Sequence, residues 1–401
     1  MSNVADHPIN RLAVISILIA LIGTIIGLGA TDLVLPAITV IPIALGGTQA
    51  EAQFILGAYI AGTSIGLILW GEIGAKFDQL KLLVISLFCF SLVSFISPLM
   101  PNISALTICR FVQGLFGAAA AVFAPVWIRA VLPDRYIVPS FGLLASIESL
   151  TPAFAPVLGL WLLGVFGWTS SFYLLGALAL LTLVALLGVK AIQPDLKVLG
   201  ARGSYKSLVA NVPYLKYGLS QAASLSGLLI FVFGMPAVTV HVLELKMSAF
   251  IMMQIIGIFC FILCANTSNL LVKRVGAEMV ILIGSFLSAL AMLIMLALAA
   301  YGIDHFYPYV ALFTLVNAGL GLRGPPGFNR ALQVSDGNEA RAAGLLLFAA
   351  FMITAAGTAA TAPFVEYGIR ELLAVSFIIL AISPLLLVSL SGRGLQKTGE
   401  P

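Results

Sequence analysis

The sequence predicts an all-α integral membrane protein. Twelve transmembrane helices are expected, arranged as two six-helix pseudo-repeats with both termini in the cytoplasm. Three observations predict this fold: an apolar composition, a series of long hydrophobic stretches, and a one-sided distribution of basic residues. Of the 401 residues, 61% are hydrophobic and only 9% are charged. A soluble domain carries about 25% charged residues, so a soluble globule, a disordered chain and a nucleic-acid-binding protein are all excluded.

The hydrophobic stretches are long enough to cross a bilayer, because a transmembrane helix needs about 20 apolar residues. The first stretch lacks a small-residue cleavage site and continues through Asp32 and Pro36, so we interpret it as a retained helix and not as a signal peptide. The predicted spans are 12–40, 52–73, 81–100, 103–132, 138–165, 168–190, 213–241, 248–272, 277–301, 306–332, 341–366 and 370–391.

Basic residues predict the orientation of these spans. Of the 20 Lys and Arg residues, sixteen fall on one side of the membrane, and only Lys246 and Arg370 fall on the other. Because Lys and Arg concentrate in cytoplasmic loops, both termini are expected in the cytoplasm. The protein itself is expected in the inner or cytoplasmic membrane. Residues 1–190 are predicted to form the N-terminal half, 191–212 a cytoplasmic linker, and 213–401 the C-terminal half with a short cytoplasmic tail.

The two halves echo each other in sequence. Residues 35–40 (LPAITV) close the first span, and residues 235–240 (MPAVTV) close the seventh. Parallel six-helix repeats joined by a cytoplasmic linker are typical of secondary transporters that bind substrate between the halves.

Four segments resemble motifs of the major facilitator superfamily, and in particular of its twelve-span drug/proton antiporters of the Bcr/CflA type. They are 31–36 (TDLVLP), 110–114 (RFVQG), 152–159 (PAFAPVLG), and 167–168 (GW) followed by Phe172. The resemblance covers the N-terminal half and, more faintly, the rest. It implies the major facilitator fold and proton-coupled efflux of small amphipathic molecules by alternating access.

The loop after the second span departs from that family pattern. The sequence there is GEIGAKFDQLK over residues 71–81, and it matches the pattern at Gly71 and Lys76. It differs from the pattern at Ala75, Asp78, Gln79 and Leu80. In the family this loop latches the outward-facing state through charge pairs, so the resemblance implies a gating role for Gly71, Lys76 and Asp78. The latch is expected to be weakened, or rebuilt by Glu72 or Asp78.

Two acids within the spans are candidates for proton coupling, since an ionisable group in a span costs about 2.5–3.5 kcal/mol on insertion scales and is functional by default. Asp32 lies in the first span, and the alternative is that it pairs with a nearby Arg or satisfies backbone near Pro36. Glu148 lies near the middle of the fifth span. It is either a second protonatable site or a neutral acid hydrogen-bonded to a neighbouring hydroxyl of Ser146, Ser149 or Thr151.

Four further polar residues in the spans are predicted to bind substrate or line the cavity: Arg110, Gln113, Asn317 and Arg323. For Arg110 the alternative is hydrogen bonding to backbone carbonyls of the first helix. For Arg323 the alternatives are an anion contact, a cytoplasmic gate, and an arginine that snorkels to the interface. Residues expected to bend or break helices at the gates are Pro152, Pro156, Gly159, Pro325 and Pro326, and the last two are predicted to break the tenth helix.

The sequence offers no basis for a cofactor, a metal site or enzymatic catalysis. It has no phosphate-binding loop, and its four cysteines lack Cys/His metal spacing. The expected partners are a small-molecule substrate, protons and the lipid bilayer, with no nucleic acid, and the chain is expected to be a monomer. Two other functions stay open: transport of a dedicated metabolite such as a siderophore, sugar or amino-acid derivative, in either direction, and a non-transporting sensor on the same fold.

Overall fold

The computed structural model describes residues 11–47, 49–190, 203–303, 305–361, 364 and 368–394. Within these ranges every regular element is a helix, and no strand forms. Twelve of the described helices have 18 or more residues. They are α1 (Arg11–Val34), α2 (Gln49–Lys76), α3 (Gln79–Ile96), α4 (Ile103–Val131), α5 (Asp134–Phe166), α6 (Ser170–Lys190), α7 (Val212–Ala237), α8 (Met247–Val275), α9 (Ala277–Ala300), α10 (Phe306–Gln333), α11 (Glu339–Thr361) and α12 (Arg370–Gly394).

Eleven helices in the described part of the chain are long and apolar enough to cross a membrane. The exception is α10, which is 28 residues long. It is the least hydrophobic of the long helices, because it carries Asn317, Arg323 and two prolines. Twelve described helices are therefore long enough to cross a membrane, eleven of them are also apolar enough, and the count of twelve spans stays a prediction.

Both repeated Pro-Ala segments interrupt their helices. The first predicted span, 12–40, ends earlier than expected, because α1 stops at Val34 and a 3-10 helix follows over Leu35–Thr39. In the seventh predicted span, 213–241, α7 stops at Ala237 and a π-helical turn follows over Val238–Val242. Pro36 and Pro236 lack the backbone N–H that a regular helix needs. The repeated sequence segments 35–40 and 235–240 therefore share a structural feature, the end of an α-helix.

The prediction that Pro325 and Pro326 break the tenth helix is wrong, because α10 is continuous through both residues. Both prolines are buried, and α10 packs along its length against α8 and α9. Prolines are tolerated in buried membrane helices because neighbouring helices compensate for the freed backbone groups.

Contacts group the chain into two compact units. The first comprises 1–137, 147–202 and 337–345, and the second comprises 138–146, 203–336 and 346–401. Residues 138–146 of α5, after its first turn, thus belong to the second unit, and the first turns of α11 belong to the first. The predicted division at a linker stays a prediction: residues 191–202 lie outside the described residues, and Tyr205–Ala210 form a short helix capped by Ser204.

Each unit has its own apolar core. The core of the first unit includes Ile26, Leu33, Tyr59, Phe90 and Phe172, which come from α1, α2, α3 and α6. The core of the second unit includes Phe231, Met253, Met292, Phe313 and Leu372, from α7, α8, α9, α10 and α12. These cores fix the helices that carry the polar residues described next.

Candidate functional site

Asp32 lies on α1, two residues before the helix ends at Val34, and its side chain is half-buried. Among the described residues it makes no ion pair and no hydrogen bond. The predicted alternative, a carboxylate that pairs with a nearby arginine, is therefore not what this structure contains.

Arg110 is fully buried, and its side chain contacts the backbone of α1. Its Nη2 donates a hydrogen bond to the carbonyl of Ala30 at 3.3 Å, and its Nη1 donates to Oε1 of Gln113 at 2.6 Å. The guanidinium carbon lies 4.2 Å from the ring centroid of Tyr59, a cation–π distance. Of the two predicted roles, this geometry matches hydrogen bonding to the first helix.

Gln113 extends this network from α4 to α3. Its Nε2 donates to Oγ of Ser94 at 2.6 Å, and Ser94 in turn donates to the carbonyl of Phe90 at 2.7 Å. Tyr59 adds a second bond to α1, from its hydroxyl to the carbonyl of Gly27 at 2.5 Å. Arg110 and Tyr59 thus bond to α1 from within the first unit, and the fully buried Gln113 connects Arg110 to α3.

The segment of α1 that carries Asp32 lies directly against α5. A Cβ placed on Gly29 would lie 3.0 Å from Cγ2 of Thr151, and a Cβ on Gly159 would lie 2.2 Å from the carbonyl oxygen of Leu33. The two contacts advance in the same direction along both helices, so α1 and α5 run parallel here. The predicted gating residue Gly159 thus permits the close approach of α5 to the end of α1.

Glu148 lies on α5 in the same unit and is half-buried. Counted from the Gly29–Thr151 contact, Asp32 and Glu148 are six residues apart along the helix axes, and counted from the Leu33–Gly159 contact they are ten residues apart. At 1.5 Å per residue their axial separation is about 9–15 Å. Two of the hydroxyls predicted as partners of Glu148 donate to their own helix instead: Ser146 to Gly142 at 2.7 Å, and Thr151 to Ile147 at 3.2 Å.

In the second unit, Arg323 does not snorkel to an interface, because its side chain is only 1% exposed. Its Nη1 donates to the carbonyl of Ser220 at 2.7 Å and to Oγ of Ser383 at 3.0 Å. The amide of Asn317 is also buried and donates to the carbonyl of Phe313, one turn earlier in α10, at 2.9 Å. Both side chains are buried in this structure, and their part in substrate binding stays a prediction.

The loop after α2 is built differently from the predicted pattern. Asp78 caps α3, accepting hydrogen bonds from the backbone N–H groups of Leu80 at 2.9 Å and Lys81 at 3.3 Å. Lys76 pairs with Glu72 one turn earlier, at 2.5 Å. Asp78 therefore caps the start of α3 and pairs locally with Lys81 at 3.4 Å, whereas Glu72 forms the ion pair with Lys76 at the end of α2.

Glu72 also pairs with Arg341 near the start of α11, a partner that the sequence did not identify. Nε of Arg341 lies 2.5 Å from Oε2 of Glu72, and Nη2 lies 3.2 Å from Oε1. Close by, Nε of Arg129 at the end of α4 lies 2.9 Å from Oε1 of Glu339. The only sequence signal was the missing acid at position 75, which leaves Glu72, one turn earlier on the helix, as the available substitute.

The remaining predicted gating residues lie on continuous helices. Pro152 and Pro156 are within α5, which runs unbroken from Asp134 to Phe166. Gly71, near the end of α2, faces Gly344 of α11: a Cβ on Gly344 would lie 3.5 Å from the Cα of Gly71. Among the described residues no group of three His, Cys, Asp or Glu side chains comes together as a metal site.

Comparisons with known proteins agree with this architecture. A family model described as Major Facilitator Superfamily matches residues 19–342. A chloramphenicol resistance protein, CraA of Acinetobacter baumannii, is 24% identical over 88% of this chain and 87% of its own. A bicyclomycin resistance protein homolog of Haemophilus influenzae is 23% identical over 62% of this chain, and the alignment spans 64% of that relative, less than two thirds of its length.

Solved structures show the same fold. A crystal structure of a bacterial homologue of the iron transporter ferroportin, in an outward-facing state, has a TM-score of 0.78 at 16% identity, covering 96% of this chain and 100% of that one. At this identity the likeness concerns the fold alone.

Proposed function

Because this chain belongs to the Major Facilitator Superfamily, we propose that it is a proton-coupled exporter of small amphipathic molecules that works by alternating access in the inner or cytoplasmic membrane. It is a membrane-spanning transporter by family and by its apolar helices. Export is supported by relatives named for resistance to chloramphenicol and bicyclomycin.

The observation that carries the proposal is the environment of Asp32. The side chain is half-buried at the end of α1 and has no basic partner among the described residues. A carboxylate in such a place can hold a proton or the cationic group of a substrate, but not both, and this exclusion couples the two movements in opposite directions. An acid held in a permanent ion pair could not alternate in this way.

Glu148 is proposed as a second protonation site of the same pathway. It lies in the same unit as Asp32, on a helix that packs against α1, and without a hydrogen bond from Ser146 or Thr151. A proton that passes from one acid to the other travels along the α1–α5 contact. Arg110 and Gln113 hold α1 in place and take no proton themselves.

The ion pairs at the start of α11 are proposed to govern the conformational cycle. Residues 337–345 belong to the first unit, and α11 continues into the second unit from Leu346. The Glu72–Arg341 and Arg129–Glu339 pairs therefore fasten one end of a helix that both units share. Making and breaking them would let α11 change its partners during transport.

The test is accumulation of a fluorescent lipophilic cation in pump-deficient cells. Cells expressing wild-type protein, Asp32→Asn protein or no protein are compared with and without a protonophore, with membrane levels of each protein measured by immunoblot. Lower accumulation with wild type alone, abolished by the protonophore, is expected. Glu244→Gln serves as the matched control, because Glu244 is an exposed acid between α7 and α8.

Two results would contradict the proposal. Equal accumulation in all well-expressed samples would point to a dedicated metabolite, and siderophores and amino-acid derivatives would then be screened. Export that persists in Asp32→Asn cells and still collapses with the protonophore would remove Asp32 from the coupling step.

A further inference from the structure

Arg323 is a buried cation without an acidic partner. It is 1% exposed, and its hydrogen bonds go to the carbonyl of Ser220 and to the hydroxyls of Ser220, Ser224 and Ser383. All of these acceptors are neutral. A buried charge without a compensating partner costs free energy inside a membrane protein, and such a residue is usually functional.

The other well-described arginines show how this chain usually treats buried or half-buried guanidinium groups. Three have a carboxylate partner, in the pairs Arg129–Glu339, Arg330–Glu278 and Arg341–Glu72. Arg110 lies over the aromatic face of Tyr59, which attracts a cation. Within the described residues Arg323 has neither kind of partner, so its positive charge is available to a ligand.

Three serines bond to this guanidinium, and a fourth, Ser285, bonds to one of them, Ser383. Ser220 and Ser224 come from α7, Ser285 from α9 and Ser383 from α12. Oγ of Ser383 lies 2.9 Å from Oγ of Ser220 and 3.2 Å from Oγ of Ser285. Because a hydroxyl can rotate to donate or accept, the cluster can turn several O–H donors toward an anion bound by Arg323.

Unused hydrogen-bonding capacity lies beside Gly327. A Cβ on this glycine would lie 2.6 Å from Oε1 of Gln221 and 3.3 Å from Nη2 of Arg323, so both groups border its side-chain-free face. Oε1 of Gln221 and Nε of Arg323 are buried and lack a hydrogen-bond partner. The Gln221 Nε2 donates a long hydrogen bond to the carbonyl of Gly324 at 3.4 Å, and a half-turn of the amide would exchange that bond for one from the NH2 group to a ligand beside Gly327.

We propose that Arg323, with the serine hydroxyls and Gln221, forms an anion-binding site in the second unit that takes a small monovalent anion. Two sources of this chemistry fit: free chloride, and the carboxylate of a transported molecule. The tight packing of the serines restricts the group that binds to a single atom or a small oxyanion. This site is separate from the acids proposed for proton coupling, which belong to the first unit.

The experiment measures thermal unfolding of the purified protein in detergent at constant ionic strength. Gluconate is replaced stepwise by chloride in one series and by acetate in another. The variants are Ser224→Ala and Ser383→Ala, which remove one hydroxyl each, and Gly327→Ala, which fills the space beside Gln221. Ser226→Ala is the matched control, because Ser226 is a buried serine of α7 that bonds only to the carbonyls of Ala222 and Ala350.

An anion that binds the folded state raises the unfolding midpoint with its concentration. We expect saturable stabilisation of the wild type and of Ser226→Ala, with about ten- to hundredfold weaker apparent affinity in the hydroxyl variants, as for loss of one hydrogen bond to a charged group. An effect of chloride identifies a free anion as the ligand, and an effect of acetate alone identifies a carboxylate.

The proposal is overturned if neither anion shifts the midpoint, or if the three variants Ser224→Ala, Ser383→Ala and Gly327→Ala all respond as the wild type does. The result is independent of the proposed transport cycle, because Asp32→Asn protein should retain the same anion response whether or not Asp32 couples protons.

Discussion

Arg341 donates two hydrogen bonds to the carboxylate of Glu72, from Nε to Oε2 at 2.5 Å and from Nη2 to Oε1 at 3.2 Å. The pair joins the end of α2 to the start of α11, and its two members differ in exposure. The side chain of Arg341 is 3% exposed, whereas that of Glu72 is 34% exposed. Removing one partner therefore has different consequences from removing the other.

The first prediction is that Glu72→Gln destabilises the protein more than Arg341→Gln does. In Glu72→Gln the buried guanidinium of Arg341 loses its carboxylate partner and keeps the neutral contact to Asn338 at 2.8 Å, and the loss should be about 1.5–3 kcal/mol, as for hydrogen bonds to charged groups. Without Arg341, Glu72 still reaches water and Lys76. Chemical unfolding of both variants in detergent provides the comparison.

Lys76→Gln is the control for this pair, because Lys76 is 56% exposed and an exposed ion pair contributes about 0–1 kcal/mol. The charge-swapped double variant Glu72→Arg/Arg341→Glu should recover part of the export activity that either single swap loses. A double variant no better than the worse single variant would mean that the pair has no conformational role.

The sequence predicted the helices well because hydrophobicity and length are local properties. It also singled out Arg110, whose contact with the first helix was one of its two predicted alternatives. It missed Arg341 and Glu339 as partners of α2 and α4, since residues 269 positions apart, such as Glu72 and Arg341, have no local signal of contact. It overestimated the breaking effect of Pro325 and Pro326, because helix packing in the second unit overrides local propensity.

The second prediction concerns the α1–α5 contact. Gly159→Ala should destabilise the protein by about 1–3 kcal/mol, the usual range for an overpacked site, because its Cβ would lie 2.2 Å from the carbonyl oxygen of Leu33. Leu33 also accepts a hydrogen bond from Ser171 at 3.1 Å, so its carbonyl is held from two sides. Displacement of this carbonyl moves the adjacent Asp32, and export should fall with stability.

Gly164→Ala is the matched control on the same helix. Nothing lies within 4 Å of a Cβ at Gly164, and alanine favours a helix over glycine by about 1 kcal/mol. Thermal unfolding should show Gly164→Ala at or above the wild type and Gly159→Ala below it. Equal midpoints for the two variants would mean that α1 and α5 can separate without penalty.

The third prediction separates function from stability at Glu148. Glu148→Gln should fold with wild-type stability, because the carboxylate makes no hydrogen bond among the described residues that an amide would lose. Proton-driven export by this variant should nevertheless fall at least tenfold, since an amide cannot carry the proton. Proton release on substrate addition to detergent-solubilised protein, followed with a pH dye, would show whether one acid or two takes part. Full export at every pH tested would leave Glu148 without a role in coupling.

The fourth prediction concerns Gln79, which stands where the resembling family has a basic residue. Its Nε2 donates to the carbonyl of Gly74 at 3.0 Å, and its Oε1 accepts from Nε1 of Trp127 at 2.9 Å. Gln79→Lys keeps a donor for Gly74 but leaves the indole N–H of the 3%-exposed Trp127 without an acceptor, at a cost of about 1–3 kcal/mol.

Gln79→Glu provides the complementary control, because it keeps the acceptor for Trp127 and loses the donor to Gly74. Gly74 is also buried, so each change removes one hydrogen bond of a buried group, and the two variants differ in which group loses its partner. Tryptophan fluorescence and thermal unfolding would distinguish them: a shifted emission maximum is expected for Gln79→Lys only. If Gln79→Lys stabilised the protein instead, the hydrogen bond between Trp127 and Gln79 would have no part in holding α3 to α4.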